Sequence, residues 1–184
     1  MTGKGPRESI TTLISRQAIA LRVSELGAEI SADLGPLLAP GETLLVVGVL
    51  NGAFIFMADL VRAMSVPLEV DFIRLSSYQD EKTSSSEVVM LKGLEREIKG
   101  RHVLVVEDIA DCGLTLAWLV EHLKVRQPAS LSLVVAIDKT ARRETNITLD
   151  YVGFTIDDGF LVGFGLDAGR RYRELPDINV IKEA

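Results

Sequence analysis

Three acidic residues lie close together in the middle of the chain, between a segment typical of a strand and one typical of a helix. Glu107 and Asp108 follow the apolar run 103–106, and Asp111 opens a short turn that ends at Thr115. Leucine and valine then recur at helical spacing. A helix N-terminus presents N–H groups and a positive dipole end to phosphate, whereas carboxylates suit sugar hydroxyls or a hard cation such as Mg²⁺. This order of buried strand, acid-tipped loop and helix therefore predicts a site for a ligand that carries phosphate, ribose and metal.

The same residues resemble the phosphoribosyl-pyrophosphate (PRPP) signature of the type I phosphoribosyltransferases, and the wider chain resembles the hypoxanthine-guanine branch of that family. The resemblance implies that Glu107 and Asp108 accept hydrogen bonds from the ribose hydroxyls, and that Asp111 is the acid/base partner of a purine ring nitrogen. It also implies that the turn binds the 5′-phosphate through backbone N–H groups and a hydroxyl. The residues of that turn are Cys112, Gly113, Leu114 and Thr115. Cys112 replaces the commoner threonine of the family, so we expect a weaker phosphate contact there.

Other residues match the parts of the family that bind pyrophosphate. Asn51-Gly52 follows an apolar run, and the resemblance implies that this loop binds pyrophosphate through its backbone, so that Asn51 can replace the lysine of many relatives. Ser77 and Tyr78 resemble the pair in a flexible loop that closes over pyrophosphate and excludes water. Arg173 matches an arginine that faces pyrophosphate and is suited to bidentate phosphate contact.

The base-binding parts of the family have counterparts as well. Lys139 matches the lysine that donates to the exocyclic oxygen of a purine, which is an acceptor in 6-oxopurines. In residues 157–167, the resemblance implies that Phe160 stacks on the purine and that Leu161 recognises it through backbone groups. Asp167 would hold a magnesium ion that also contacts pyrophosphate. The implied metal ligands are Glu107, Asp108 and Asp167.

Composition limits the classes of protein that the chain can belong to. A chain of 184 residues that is 47% hydrophobic and 25% charged is typical of one soluble globular domain, which we expect to span residues 1–184. A net charge of −6 and a pI near 5.0 argue against a nucleic-acid-binding surface. One cysteine excludes an internal disulfide and favours a reducing cytoplasm. The first residues do not resemble a signal peptide, and polar residues interrupt the apolar window 44–61, so we expect no membrane span.

Hydrophobic patterns indicate alternating strands and helices. The predicted helices cover residues 16–34, the region around 57–64, and a segment that ends near Lys124. Segments of strand length lie at 44–49, 68–74, 88–91, 103–106, 131–137, 151–156, 160–164 and 178–181; the segment 68–74 alternates apolar and polar residues at its start. Residues 76–87 have almost nothing to bury, so we expect a mobile loop or lid there.

This alternation predicts an α/β fold with a mostly parallel central sheet flanked by helices. The resemblance implies more narrowly the type I phosphoribosyltransferase fold, with a small hood built from the chain termini. Ligands of such sheets bind at the carboxyl ends of the strands. Asn51-Gly52, the acidic cluster and Lys139 each follow a predicted strand, so we expect them to converge on one edge.

The resemblance covers roughly residues 44–182 and implies a purine salvage enzyme. Such an enzyme transfers 5-phosphoribose from PRPP to hypoxanthine or guanine, with Mg²⁺, and releases IMP or GMP and pyrophosphate. Its relatives are commonly homodimers or homotetramers. Two alternatives remain open: a xanthine-preferring enzyme, and a PRPP-sensing regulatory protein on the same fold. The acidic charge and the presence of Asp111 disfavour the regulator, since a sensor needs no proton-transfer carboxylate.

Overall fold

The computed structural model describes residues 9–79 and 86–182, which form three α-helices and nine strands in two sheets. The helices are α1 (Arg16–Leu34), α2 (Phe54–Ala63) and α3 (Leu114–Lys124). The strands are β1 (Ser9–Ile14), β2 (Leu44–Leu50), β3 (Leu68–Gln79), β4 (Ser86–Lys92), β5 (His102–Ala110), β6 (Ser130–Lys139), β7 (Tyr151–Ile156), β8 (Phe160–Val162) and β9 (Ile178–Lys182). No helix in these ranges is long and apolar enough to cross a membrane.

The central sheet has the strand order β4-β3-β2-β5-β6-β7, and only the edge strand β4 runs antiparallel to its neighbour. The apolar runs form its centre because both faces of those strands are covered. Leu44 and Val46 of β2 contribute to the core under α1 and α2, whereas Leu45 and Val47 contribute to the core under α3. The predicted mostly parallel sheet with flanking helices is confirmed.

A second, three-stranded antiparallel sheet has the order β1-β9-β8 and forms the predicted hood. Segments near the two ends of the described chain therefore pair with each other. The Asp177 carboxylate, next to β9, accepts a 2.7 Å hydrogen bond from the Arg16 N–H at the start of α1. This contact ties the hood to the first helix. The hood was expected from the family resemblance, but β1 itself was not predicted from the sequence pattern.

The structure corrects two expectations. The proposed loop at 76–87 is wrong for residues 76–79 and 86–87, because β3 and β4 continue as a paired antiparallel hairpin there, with Ser77 opposite Val88 and Tyr78 opposite Glu87. Residues 80–85 of that proposed loop lie outside the described residues. The acidic cluster also does not begin in a loop, since β5 continues through Ala110 and remains paired with β6.

Candidate active site

Three segments converge at the carboxyl edge of the central sheet, as expected. Asn51-Gly52 directly follows β2, the acidic residues lie at the end of the neighbouring strand β5, and Lys139 is the last residue of β6. A Cβ atom on Gly52 would overlap the Asp108 carboxylate, and one on Gly165 would overlap the Gly52 carbonyl. The loop after β2 is therefore packed between β5 and the loop that follows β8.

Glu107 and Asp108 form an electrostatically unfavourable pair in the protein alone. Burial, together with the neighbouring Asp108 charge, raises the pKa of Glu107 well above its usual range. Burial also raises the pKa of Asp108, although hydrogen bonding to Glu107 and the Ile109 N–H and the charge of Arg173 oppose that shift. Two adjacent shielded carboxylates resist full ionisation, so the site favours a cation or a hydroxyl donor.

Residues 111–115, which we call the phosphate turn, lead from β5 into α3. Gly113 adopts φ +85°, a conformation that suits glycine, and no side chain caps the helix that begins at Leu114. The first N–H groups of that helix therefore have no intrahelical partner. The cavity at the turn is lined by Glu107, Asp111, Cys112, Gly113 and Thr115. Residues that were predicted to bind ribose, to act as the acid/base group and to bind the 5′-phosphate therefore line one cavity.

The residues expected to bind the base differ in exposure. Lys139 is buried at the end of β6, and Leu161 is buried in β8. Phe160, at the start of β8, is 57% exposed, so its ring is not part of the hydrophobic core. An exposed ring on the hood is available to stack on a planar ligand.

Asp167 and Arg173, which the sequence assigned to magnesium and to pyrophosphate, bind each other. Arg173 Nη2 lies 2.6 Å from Asp167 Oδ1, and the Arg170 N–H donates to Asp167 Oδ2 at 2.6 Å. The other terminal nitrogen of Arg173 donates to the Gly165 carbonyl. Both oxygens of the Asp167 carboxylate are therefore occupied by donors from the protein itself.

The acidic residues do not form a closed metal site. Within residues 9–79 and 86–182, no three His, Cys, Asp or Glu side chains are grouped closely enough to hold a metal ion. Mg²⁺, however, is usually bound by one or two carboxylates together with substrate phosphates and water. Glu107 and Asp108 fit the protein's share of such a site, because burial raises the pKa of both carboxyls and a bound cation would favour their ionised forms.

Ser77 and Tyr78 lie in β3 beyond Arg74, the residue of β3 that pairs with the last residue of β2. Their backbone therefore extends past the carboxyl edge where the other site residues converge. They lie in a strand and not in the loop that the composition of this segment indicated.

A further segment near the phosphate turn was missed from the sequence. Glu144 donates through its N–H to the Cys112 carbonyl at 3.0 Å, and Thr145 Oγ1 donates to the same carbonyl at 3.3 Å. Arg143, just before them, forms an ion pair with Asp138. Nothing in the local pattern indicates the two hydrogen bonds to Cys112, because they join residues more than thirty positions apart along the chain.

Comparison with known proteins agrees with this geometry. A family model described as a phosphoribosyl transferase domain matches residues 9–168. The hypoxanthine-guanine phosphoribosyltransferase of Bacillus subtilis is 44% identical over 94% of this chain and 93% of its own. The hypoxanthine phosphoribosyltransferase of Salmonella typhimurium is 40% identical over 95% of this chain and 97% of its own.

Solved structures give the same result. A crystal structure of the Trypanosoma cruzi hypoxanthine phosphoribosyltransferase superimposes with a TM-score of 0.85 at 39% identity, over 95% of this chain and 97% of that one. A hypoxanthine-guanine phosphoribosyltransferase from Bacillus anthracis has a TM-score of 0.85 at 40% identity, over 94% of this chain and 98% of that one. On its sequence, its fold and the arrangement of its site, the chain belongs to the phosphoribosyltransferase family, among the hypoxanthine and hypoxanthine-guanine phosphoribosyltransferases.

Proposed function

We propose that the protein transfers 5-phosphoribose from PRPP to hypoxanthine, guanine or both, and releases IMP or GMP together with pyrophosphate. The observation that carries this proposal is the single cavity shared by Glu107, Asp111 and the phosphate turn. A ribose 5-phosphate could meet carboxylates with its hydroxyls and backbone N–H groups with its phosphate there. The relatives named for hypoxanthine and guanine support the choice of base.

The chemistry that we assign to the site follows from the reaction. Displacement of pyrophosphate at the anomeric carbon develops positive charge on the sugar, which the nearby carboxylates of Glu107 and Asp108 stabilise. The attacking purine nitrogen must lose a proton, and we assign to Asp111, at the start of the phosphate turn, the role of the base that accepts it.

Mg²⁺ fits the carboxylates that the protein supplies, and we propose that Glu107 and Asp108 contribute to its binding, with Asp167 as a third, conditional ligand. When bound with PRPP, the ion would neutralise charge on the departing pyrophosphate. Asp167 can bind the ion only if its ion pair with Arg173 is broken. The two side chains would then be released together, one toward metal and the other toward pyrophosphate.

Lys139 and Phe160 define the base specificity in this proposal. The ammonium of Lys139 donates to the 6-oxo group, and the exposed ring of Phe160 stacks on the purine, with Leu161 beside it providing backbone groups. An adenine amino group offers Lys139 no acceptor. A pyrimidine would offer Phe160 less surface to stack on. Xanthine carries the same 6-oxo group, so a xanthine preference is the second candidate.

Two further properties belong to the same proposal. We expect a homodimer or homotetramer, as the family resemblance implies, and a reducing cytoplasm, because the chain has one cysteine.

The proposal also assigns the contacts with pyrophosphate. They come from Asn51-Gly52, Ser77, Tyr78 and Arg173.

A spectrophotometric assay tests the proposal directly. The purified protein is supplied with PRPP and Mg²⁺ and, separately, with hypoxanthine, guanine, xanthine, adenine, uracil or orotate. We expect turnover of hypoxanthine or guanine, loss of that turnover with EDTA, and no reaction of adenine or the pyrimidines. Faster turnover of xanthine would replace the proposed base preference. PRPP binding without turnover of any base would instead favour the regulatory protein.

A further inference from the structure

The segment that follows β6 returns over the phosphate turn and fixes its position. The Glu144 N–H and Thr145 Oγ1 both donate to the Cys112 carbonyl, at 3.0 Å and 3.3 Å. A Cβ atom on Gly113 would overlap Thr145 Oγ1 and would lie 3.2 Å from Arg143 Cδ. Gly113 therefore has no room for a side chain, because Arg143 and Thr145 occupy that space.

Arg143 is itself held by the residue that precedes Lys139. Its guanidinium donates to the Asp138 carboxylate, and the two side chains are only 19% and 17% exposed. Ion pairs shielded from water are less weakened by solvent than those on the surface, and the planar guanidinium fixes the orientation of its partner. Asp138 also pairs in register with Ala110, the last residue of β5. One ion pair thus connects the strand end that carries Lys139 to the phosphate turn.

The ion pair does not satisfy all the hydrogen-bonding groups of Arg143. Its Nε–H is buried and has no hydrogen-bond partner in the part of the chain that the structure describes. Buried donors in folded proteins are nearly always bonded, and each exception calls for a reason. A side chain selected for stability alone would avoid this arrangement. A side chain required to hold the turn and Asp138 in one geometry would tolerate it.

We propose that Arg143 is a positioning residue that sets the phosphate turn relative to Lys139. It thereby keeps the 5′-phosphate subsite and the base subsite at the separation that one nucleotide requires. This inference rests on the proposed function and deepens it. A nucleoside 5′-monophosphate gains affinity from joining base and phosphate only when both subsites fit it at once. Loss of the pair should therefore weaken binding of the nucleotide while leaving binding of the nucleoside unchanged.

Calorimetric titration of the full chain with IMP and with inosine measures this difference. We compare the wild-type protein with Arg143→Met, which retains an unbranched stem beside Gly113 but removes the guanidinium, with Asp138→Asn, and with the double variant. We expect IMP to bind about tenfold more weakly to each single variant, with inosine affinity unchanged. The double variant should be no weaker than either single one, because each removes the same pair.

A matched control is provided by Arg62→Met, which breaks an arginine–aspartate pair with Asp59 on the exposed surface of α2. This control should bind both ligands as the wild type does. Unchanged IMP affinity in Arg143→Met would overturn the proposal. Equal weakening of IMP and inosine would also overturn it, since a general structural role predicts that result.

A further variant covers the case in which Arg143→Met does not fold. Arg143→Lys keeps a cation beside Asp138 without the planar fork, and we expect an intermediate loss of IMP affinity with inosine unchanged. If Arg143→Met does not fold and Arg143→Lys binds IMP as tightly as the wild type does, the positioning role is rejected. Failure of the proposed function looks different, because the wild-type protein itself would then neither bind IMP nor turn over a purine with PRPP.

Discussion

Gly52 lies directly against the carboxylate of Asp108, so closely that a methyl group on Gly52 would occupy the same space as Asp108 Oδ2. The backbone of the loop proposed to bind pyrophosphate therefore packs against a side chain of the strand proposed to bind ribose. On its other side, the Gly52 carbonyl faces Gly165, which likewise has no room for a Cβ. The relative positions of three segments of the site depend on the absence of side chains at these two glycines.

Gly52→Ala tests this packing. The added methyl group must displace either the loop or Asp108, and a displacement of about 1 Å in a site of this kind can reduce catalysis by about 10²-fold. We expect a loss of that size in kcat/KM with inosine affinity and fold retained. Gly93→Ala is the control, because its nearest neighbour is the flexible Met90 sulfur at 3.3 Å. Similar activity in the two variants would show that the loop adapts freely.

Glu107→Gln tests what it costs the fold to bury the Glu107 carboxylate. Because the folded-state pKa of Glu107 is raised, its contribution to stability is fully present below the unfolded value near 4.5 and is lost as pH rises through the folded value. The glutamine variant has no charge to bury, so at pH 8 we expect it to be more stable than the wild type by about 1 kcal/mol. Thermal melts without ligand from pH 4.5 to 8 should show this difference shrinking toward acid. If the difference in stability between the two proteins did not change with pH, it would not arise from ionisation of Glu107.

Asp111→Asn should separate proton transfer from ligand binding. The amide has nearly the same shape but cannot accept the purine proton, so we expect turnover to fall by about 10²-fold or more with little change in PRPP affinity. Steady-state kinetics and PRPP titration together measure the two effects. Unchanged turnover would remove Asp111 from the role of acid/base residue.

Gly27→Ala is expected to affect stability but not chemistry. Gly27 of α1 packs against α2, where an added Cβ would lie 2.6 Å from the Ala63 Cβ. Overpacking of this kind costs about 1–3 kcal/mol. Chemical denaturation should show that loss, while kcat per folded molecule remains unchanged. Ser24→Ala, at an exposed position of the same helix, should stay within about 0.5 kcal/mol of the wild type.

The sequence pattern predicted those parts of the fold whose burial is continuous or periodic. Strands β2, β5 and β6 were recognisable because their central residues are apolar on both faces. Strand β1 was not, because nearly all its side chains are exposed and it is held by pairing with β9, about 170 residues away. The strands at 68–74 and 88–91 were predicted, but their extension into a hairpin through residues 76–79 and 86–87 was missed, because Ser77 and Tyr78 carry no apolar alternation.

The candidate site was predictable where its residues are contiguous or follow strand ends. The convergence of Gly52, Glu107 and Lys139 follows from parallel pairing of neighbouring strands. The pairing of Asp167 with Arg173 and of Asp138 with Arg143 was not predictable, because charges of opposite sign at short separations occur throughout the chain. Only the course of the backbone determines which of them meet.

The hood also determines the order in which the site can be completed during synthesis. Phe160 stands in a sheet whose central strand is β9, so that sheet cannot form until Ile178–Lys182 has left the ribosome. The parallel strands that carry the phosphate turn and Lys139 are all translated by then. The phosphate turn and the ring proposed to stack on the base therefore belong to separate sheets, and the proposed base subsite can be completed only after the chain has been synthesised as far as Lys182.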